Sequence, residues 1–171
     1  ALMVNQSSLV GKDKVHLVDT LLAQGVQITK LFVPEHGLRG KVDAGKYVQS
    51  GRDTKTGLPI ISLYGQRKRP SETMLSDVDV LVFDLQDVGV RFYTYISSMH
   101  YLMEACEETQ KSFIVCDRPN PNDFIDGPMR EPDCRSFIGV DPLPLAHGMT
   151  VGELALMING EKWLRSKRAC R

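Results

Sequence analysis

The chain has 171 residues, 42% of them apolar, which is enough to bury a core and lies outside the compositions of disordered, collagen-like or coiled-coil proteins. Its 21 Lys plus Arg equal its 21 Asp plus Glu, so net charge points to neither a general nucleic-acid footprint nor an acidic tail, and any charged partner must be met locally. No apolar run approaches the roughly 18 residues that span a bilayer, and the first residues lack the basic start and long apolar stretch of a signal peptide.

Apolar periodicity sorts the chain into alternating strands and helices. Leu2 to Val4 reads as a first buried strand, and Asp13 to Gln24 as a helix with Val15, Val18, Leu21 and Leu22 on one stripe. Further buried strands are expected at Ile28 to Val33, Leu58 to Leu63 and Val78 to Leu85. Tyr93 to Thr109 follows as a helix, with Ile96, Met99, Met103 and Cys106 at three- and four-residue steps, and Phe113 to Cys116 as a fifth strand. Pro119, Pro121, Pro128, Pro132, Pro142 and Pro144 then crowd a long loop. The last helix opens at Thr150 with Glu153 three residues on, the capping-box spacing, and runs into Leu154, Leu156, Met157 and Ile158. Strand, helix, strand in repetition predicts an α/β fold, a mostly parallel sheet with helices on both faces. Cys106, Cys116, Cys134 and Cys170 fit no disulfide framework or zinc knuckle and read as small buried residues plus one terminal thiol.

In an open α/β sheet, ligands bind beyond the carboxyl ends of the strands, and here the residues at those ends are polar. Glu35 follows a proline that fixes the approach of the chain and precedes His36 and a glycine that lets it turn away. A carboxyl group held there against apolar walls can stay protonated and donate its proton; a helix cap or a salt bridge with Arg39 is the structural alternative. His36 reads as a loop anchor or a base, and no metal site is expected, because adjacent side chains in extended chain point to opposite sides. After the fourth strand come Gln86, Asp87, Arg91, Tyr93 and Tyr95. Arg91 could take an acid group bidentately while Tyr93 or Tyr95 covers an apolar sugar face. Equally, Asp84 or Asp87 could partner Arg91 and Tyr95 could enter the core. Asp117-Arg118, ahead of Pro119-Asn120-Pro121, is either a brace for the loop or a substrate clamp. His147 precedes the capped helix, where unpaired amides favour an anion, although a loop anchor fits as well. No GxGxxG follows the first strand, and Walker A and GxSxG sequences are absent, so a nucleotide enzyme is disfavoured and no cofactor is expected.

The blocks Phe32-Val33-Pro34-Glu35-His36-Gly37-Leu38-Arg39-Gly40, Ser62-Leu63-Tyr64-Gly65, Phe83 to Tyr95, Asp117-Arg118-Pro119-Asn120-Pro121 and His147-Gly148-Met149-Thr150 resemble, in order, those of the NamZ-type exo-β-N-acetylmuramidases, a bacterial family formerly described as a domain of unknown function. The resemblance runs from Asn5 to about Trp163. It implies a Rossmann-like α/β domain joined to a second, smaller one, and a glycoside hydrolase that releases non-reducing-end N-acetylmuramic acid from peptidoglycan fragments in cell-wall turnover. It implies Glu35 as the catalytic glutamate, read here as the general acid; on sequence Asp87 and Asp84 are candidates for the second group, unless the substrate's N-acetyl group attacks, as in substrate-assisted glycosidases. Arg91, Arg39 or Arg118 would meet the lactyl carboxylate, and His36, Gln86, Tyr93, Tyr95, Asn120 and His147 would line the substrate. Expected partners are muramic acid saccharides, with no nucleic acid, and the expected compartment is extracytoplasmic. The expected organisation is a Rossmann-like catalytic domain at 1–165, its first strand truncated and its Pro-rich loop at about 117–146, then 166–171 as the start of another unit. A non-catalytic sugar-binding module is the rival reading.

Overall fold

The structure, a computed structural model, describes residues 1–35, 37–38 and 51–171. It opens with β1 (Leu2–Val4), then β2 (Leu9–Val10), β3 (Val15–His16) and α1 (Leu17–Ala23). Next come β4 (Leu31–Val33), β5 (Gly51–Arg52), β6 (Pro59–Ser62), α2 (Glu72–Leu75), β7 (Val80–Asp84), α3 (Tyr95–Glu108) and β8 (Ser112–Val115). The Pro-rich stretch carries β9 (Ile125–Asp126), a 3₁₀ turn at Pro132–Cys134 and β10 (Ala146–His147), and leads into α4 (Val151–Gly160).

Six strands form one sheet in the order β5-β6-β4-β1-β7-β8, all parallel except β5, which runs antiparallel to β6 along the edge. The chain winds from β1 outward to β4 and β6, then crosses back to β7 and β8, so the winding reverses between β1 and β7. The side-chain period of two explains why the sheet needs cover on both faces. Leu2, Val4, Leu31 and Val33 pack on the α1 side with Val18, whereas Met3, Phe32, Leu81 and Phe83 pack on the other with Met99, Leu102 and Leu154 from α3 and α4.

The predicted helix at Asp13 starts only at Leu17, because Leu9–Val10 and Val15–His16 pair as a hairpin. His16 then caps α1: its Nδ1 accepts the Val18 N–H at 3.3 Å, and its Nε2 lies 2.9 Å from the Asn5 carbonyl, so the Nε2–H tautomer ties the helix start to the end of β1. The capping box of α4 is formed, with the Thr150 hydroxyl accepting from the Glu153 N–H and the Glu153 carboxylate from the Thr150 N–H. Cys170 is buried and the exposed thiol is Cys134; burial pushes the Cys106 and Cys170 thiols up to about 12 and about 11. Residues 166–171 pack on this same sheet. Arg168 pairs with Glu107, Cys170 exchanges two hydrogen bonds with the Asn159 amide, and the Phe113 N–H donates to the Arg171 carbonyl at 2.7 Å.

Candidate active site at the sheet's carboxyl edge

The parallel register lines up the strand ends: Ser62 lies opposite Val33, and Val4 opposite Asp84. The segments leaving these strands therefore share one rim, and the crevice of a doubly wound sheet opens where the winding reverses, here between the ends of β1 and β7. Asn5, the first residue after β1, is 1% exposed. Its Oδ1 accepts from the Ser7 N–H and hydroxyl at 2.8 and 2.7 Å, and its Nδ2 donates to the Tyr95 hydroxyl at 3.0 Å. The Ser8 hydroxyl donates to the Asp84 carbonyl at 2.5 Å, closing the seam between β1 and β7.

Glu35 stands one strand over, half-buried after β4, in a turn closed by the Gly37 N–H on the Pro34 carbonyl at 3.2 Å. Gly37 sits at φ +69°, in the left-handed region a side chain would strain. The Tyr64 hydroxyl, just beyond β6, hydrogen-bonds Glu35, and this bond holds the phenol above its ordinary range. Tyr95 is also held neutral, mainly by burial, then by Tyr93 packed edge-on at 4.6 Å, with the Glu35 charge adding to the effect. Glu35, Tyr64, Tyr95, Tyr93 and Asn5 thus form one cluster drawn from the ends of four adjacent strands. Asn5 and Tyr64 were not singled out by sequence reasoning. Their signals were position, each directly or nearly directly after an apolar strand, and a place in the stretch of family resemblance, which opens at Asn5 and includes Ser62-Leu63-Tyr64-Gly65.

Several of the expected substrate contacts are hydrogen-bonded within the protein. Arg91 partners neither Asp84 nor Asp87; its Nη1 donates to the Pro128 and Leu143 carbonyls at 2.9 and 2.5 Å, so it braces the Pro-rich loop. Arg118 is bound to Asp84, with Nε and Nη2 on one carboxylate oxygen at 2.9 and 2.6 Å. Asp117 does not pair with the guanidinium: it accepts from the Arg118 N–H at 3.0 Å and sits on the start of α4, accepting from the Gly152 N–H at 2.8 Å and the Thr150 hydroxyl at 2.9 Å. The anion expected at that helix end is therefore the chain's own carboxylate. Asp87 is 4% exposed, accepts from the Gly89 N–H at 2.9 Å and faces His147 Nε2 at 3.3 Å. His147 Nδ1 accepts from the Met149 N–H, which leaves the ring proton on Nε2, toward Asp87. Gln86 spends its amide on the Asp87 and Pro119 carbonyls, and Asn120 donates to the Met149 carbonyl. His36 and Arg39 lie outside the described residues. Among the described residues, no group of three His, Cys, Asp or Glu side chains could hold a metal ion.

Fold and rim together define a doubly wound α/β domain with a carboxylate and phenol site at the reversal of its sheet. The family model described as exo-beta-N-acetylmuramidase NamZ, N-terminal, matches residues 1–170, and the chain belongs to that family. It is 54% identical over 138 residues to the peptidoglycan beta-N-acetylmuramidase NamZ of Bacillus subtilis (strain 168), covering 80% of this chain and 33% of that protein. Two crystal structures of DUF1343 family proteins from Bacteroides fragilis NCTC 9343 superpose with TM-scores of 0.86 and 0.88 at 45% and 43% identity. Each match covers 99% of this chain but only 44% and 42% of the other. The chain thus spans about a third of the curated relative's length and under half of each solved relative's.

Proposed function

We propose that the natural protein carrying this chain is a glycoside hydrolase that releases non-reducing-end N-acetylmuramic acid from peptidoglycan fragments, with Glu35 as proton donor. The observation that carries the reading is the placement of Glu35 after β4, hydrogen-bonded by Tyr64 and within electrostatic reach of Tyr95. The family membership and the Bacillus relative's name support the substrate class. The Tyr64 hydroxyl can donate to the Glu35 carboxylate. Once Glu35 takes up a proton, the same hydroxyl can turn and accept, because a phenol is both donor and acceptor. Tyr64 therefore suits both ends of a cycle in which Glu35 gives up a proton to the leaving oxygen and regains it.

Asp84 is engaged by Arg118 and Asp87 is buried against His147, which leaves neither carboxylate facing a sugar among the described residues. This supports attack by the substrate's own N-acetyl oxygen. With Arg91 and Arg118 committed elsewhere, Arg39 is the cation we assign to the lactyl carboxylate. A substrate derived from peptidoglycan suits a protein that works outside the cytoplasm.

The test is Glu35→Gln in the natural protein, assayed on an unactivated muramic acid disaccharide and on a chromogenic aryl glycoside. Folding should be unchanged and disaccharide turnover should fall about 10²–10⁴-fold, the usual worth of a general acid. The loss on the aryl glycoside should be smaller, since its leaving group needs less protonation. Wild-type turnover of the disaccharide would remove Glu35 from the role. Binding without hydrolysis by the unmodified protein would favour the sugar-binding module.

A further inference from the structure

Away from the rim, on the flank of α3, lies a cleft of about 830 Å³ whose wall carries Arg67, Lys68, Arg69, Arg135, Arg165 and Lys167. Tyr101, on this wall, is six residues past Tyr95 along α3, about 9 Å at the helical rise, so the cleft and the Glu35 cluster are separate places. Six of the chain's 21 cations stand here although the chain as a whole is neutral. They come from three distant segments: the loop after β6, the Pro-rich stretch, and the turn after α4. The fold thus adds Arg135, Arg165 and Lys167 to the basic run Arg67-Lys68-Arg69 around one hollow.

Glu104 is the one carboxylate in the wall. It is already shared between His100 at 3.3 Å, Arg69 at 3.6 Å and the Arg165 N–H at 3.1 Å. Arg69 is spent on Glu104 and Glu108. Among the described residues, the side chains of Arg67, Lys68, Arg135, Arg165 and Lys167 make no ion pair. Five like charges around one hollow repel each other, and a multiply charged anion relieves that repulsion. Guanidinium forks suit phosphate oxygens, and the volume lies in the upper part of the range of small-molecule sites, about 300–1,000 Å³.

The aromatic side chains narrow the ligand further. Phe137 stacks on Tyr101 with centroids 6.0 Å apart and planes 6° from parallel, and Lys68 Nζ sits 4.7 Å from the Phe137 centroid. Trp163 packs against the core beside α4. Tyr101 is engaged by Phe137 and Trp163 by the core, so fewer ring faces are left for the successive stacking that single-stranded nucleic acid uses. We propose that this cleft binds a linear chain of phosphate groups without bases, either inorganic or strung on small polyols. The proposal does not depend on the glycosidase reading, and Glu35→Gln should leave it untouched.

Trp163 is the single tryptophan of these 171 residues and lines the cleft, so the part of the emission that Trp163→Phe removes reports occupancy. The natural protein is titrated with sodium tripolyphosphate and with a synthetic glycerol phosphate oligomer, using Trp163→Phe to assign the signal. Both probes, or whichever represents the true source, should change the emission that Trp163→Phe removes, and binding should weaken steeply with added salt. The triple variant Arg67→Gln, Arg135→Gln, Lys167→Gln alters only exposed side chains and should bind about tenfold or more weakly. Unchanged affinity in that variant, or no binding of either probe, overturns the site. Equal binding of polyglutamate overturns the phosphate assignment. An oligothymidylate that binds at least tenfold tighter than the glycerol phosphate oligomer overturns the exclusion of nucleic acid.

Discussion

His100 is fully buried in α3 between two carboxylates, Asp141 at 2.8 Å from Nδ1 and Glu104 at 3.3 Å from Nε2. Burial alone would discharge it, but the hydrogen bonds and charges of Asp141 and Glu104 outweigh that and push it from 6.5 up to about 9. The same interactions hold Glu104 below its ordinary range, against its own burial. Because the folded value lies above the unfolded one, the stabilisation is complete below about pH 6.5 and is lost as pH rises through about 9. At about 1.4 kcal/mol per pH unit, the span amounts to about 3 kcal/mol. The Glu104 contribution has the opposite sense, present above the ordinary carboxylate range and lost as acid protonates it. Urea unfolding followed by circular dichroism from pH 5 to 9.5 should therefore show highest stability near pH 5–6.5, then a fall of about 3 kcal/mol. His100→Gln should cost about 3–5 kcal/mol at pH 6, because two buried carboxylates lose their cation, and should flatten the alkaline fall. A wild-type profile that stays level from pH 6.5 to 9, or a variant profile parallel to it, would refute the charged network.

Arg118→Met strands the Asp84 carboxylate, 2% exposed at the end of β7, and should destabilise by about 3–5 kcal/mol; adding Asp84→Asn should recover much of the loss in urea midpoint. Gly89 adopts φ +77°, and a Cβ there would stand 2.3 Å from the Asn120 Oδ1, so Gly89→Ala should cost at least about 2 kcal/mol from backbone strain and overpacking. A melting temperature within a degree of wild type would show that the Asn120 loop yields freely.

The five parallel strands and the α3 stripe were legible because each is a short apolar run or a periodic stripe, and buried strands of a parallel sheet have that texture. The antiparallel edge β5, Gly51–Arg52, was not legible: it is two residues long, exposed and held by its neighbour. The start of α1 was misread because Val15 continues the helical stripe in sequence while pairing with Val10 in the hairpin. In the site, position after a strand pointed to Glu35 and Tyr95. At Arg91 and Arg118 the sequence left brace and ligand contact open, since nothing local distinguishes an arginine that meets a ligand from one whose partners lie 52 or 34 residues away.

Asp117 has a bearing on how an acidic sugar can be held. Many α/β enzymes greet negatively charged ligands with the bare amides that open a helix; on α4 that welcome is already taken, and a methyl group at Gly152 would collide with the occupant at 2.7 Å. The first turn of α4 is therefore not open to a second negative charge without displacing Asp117.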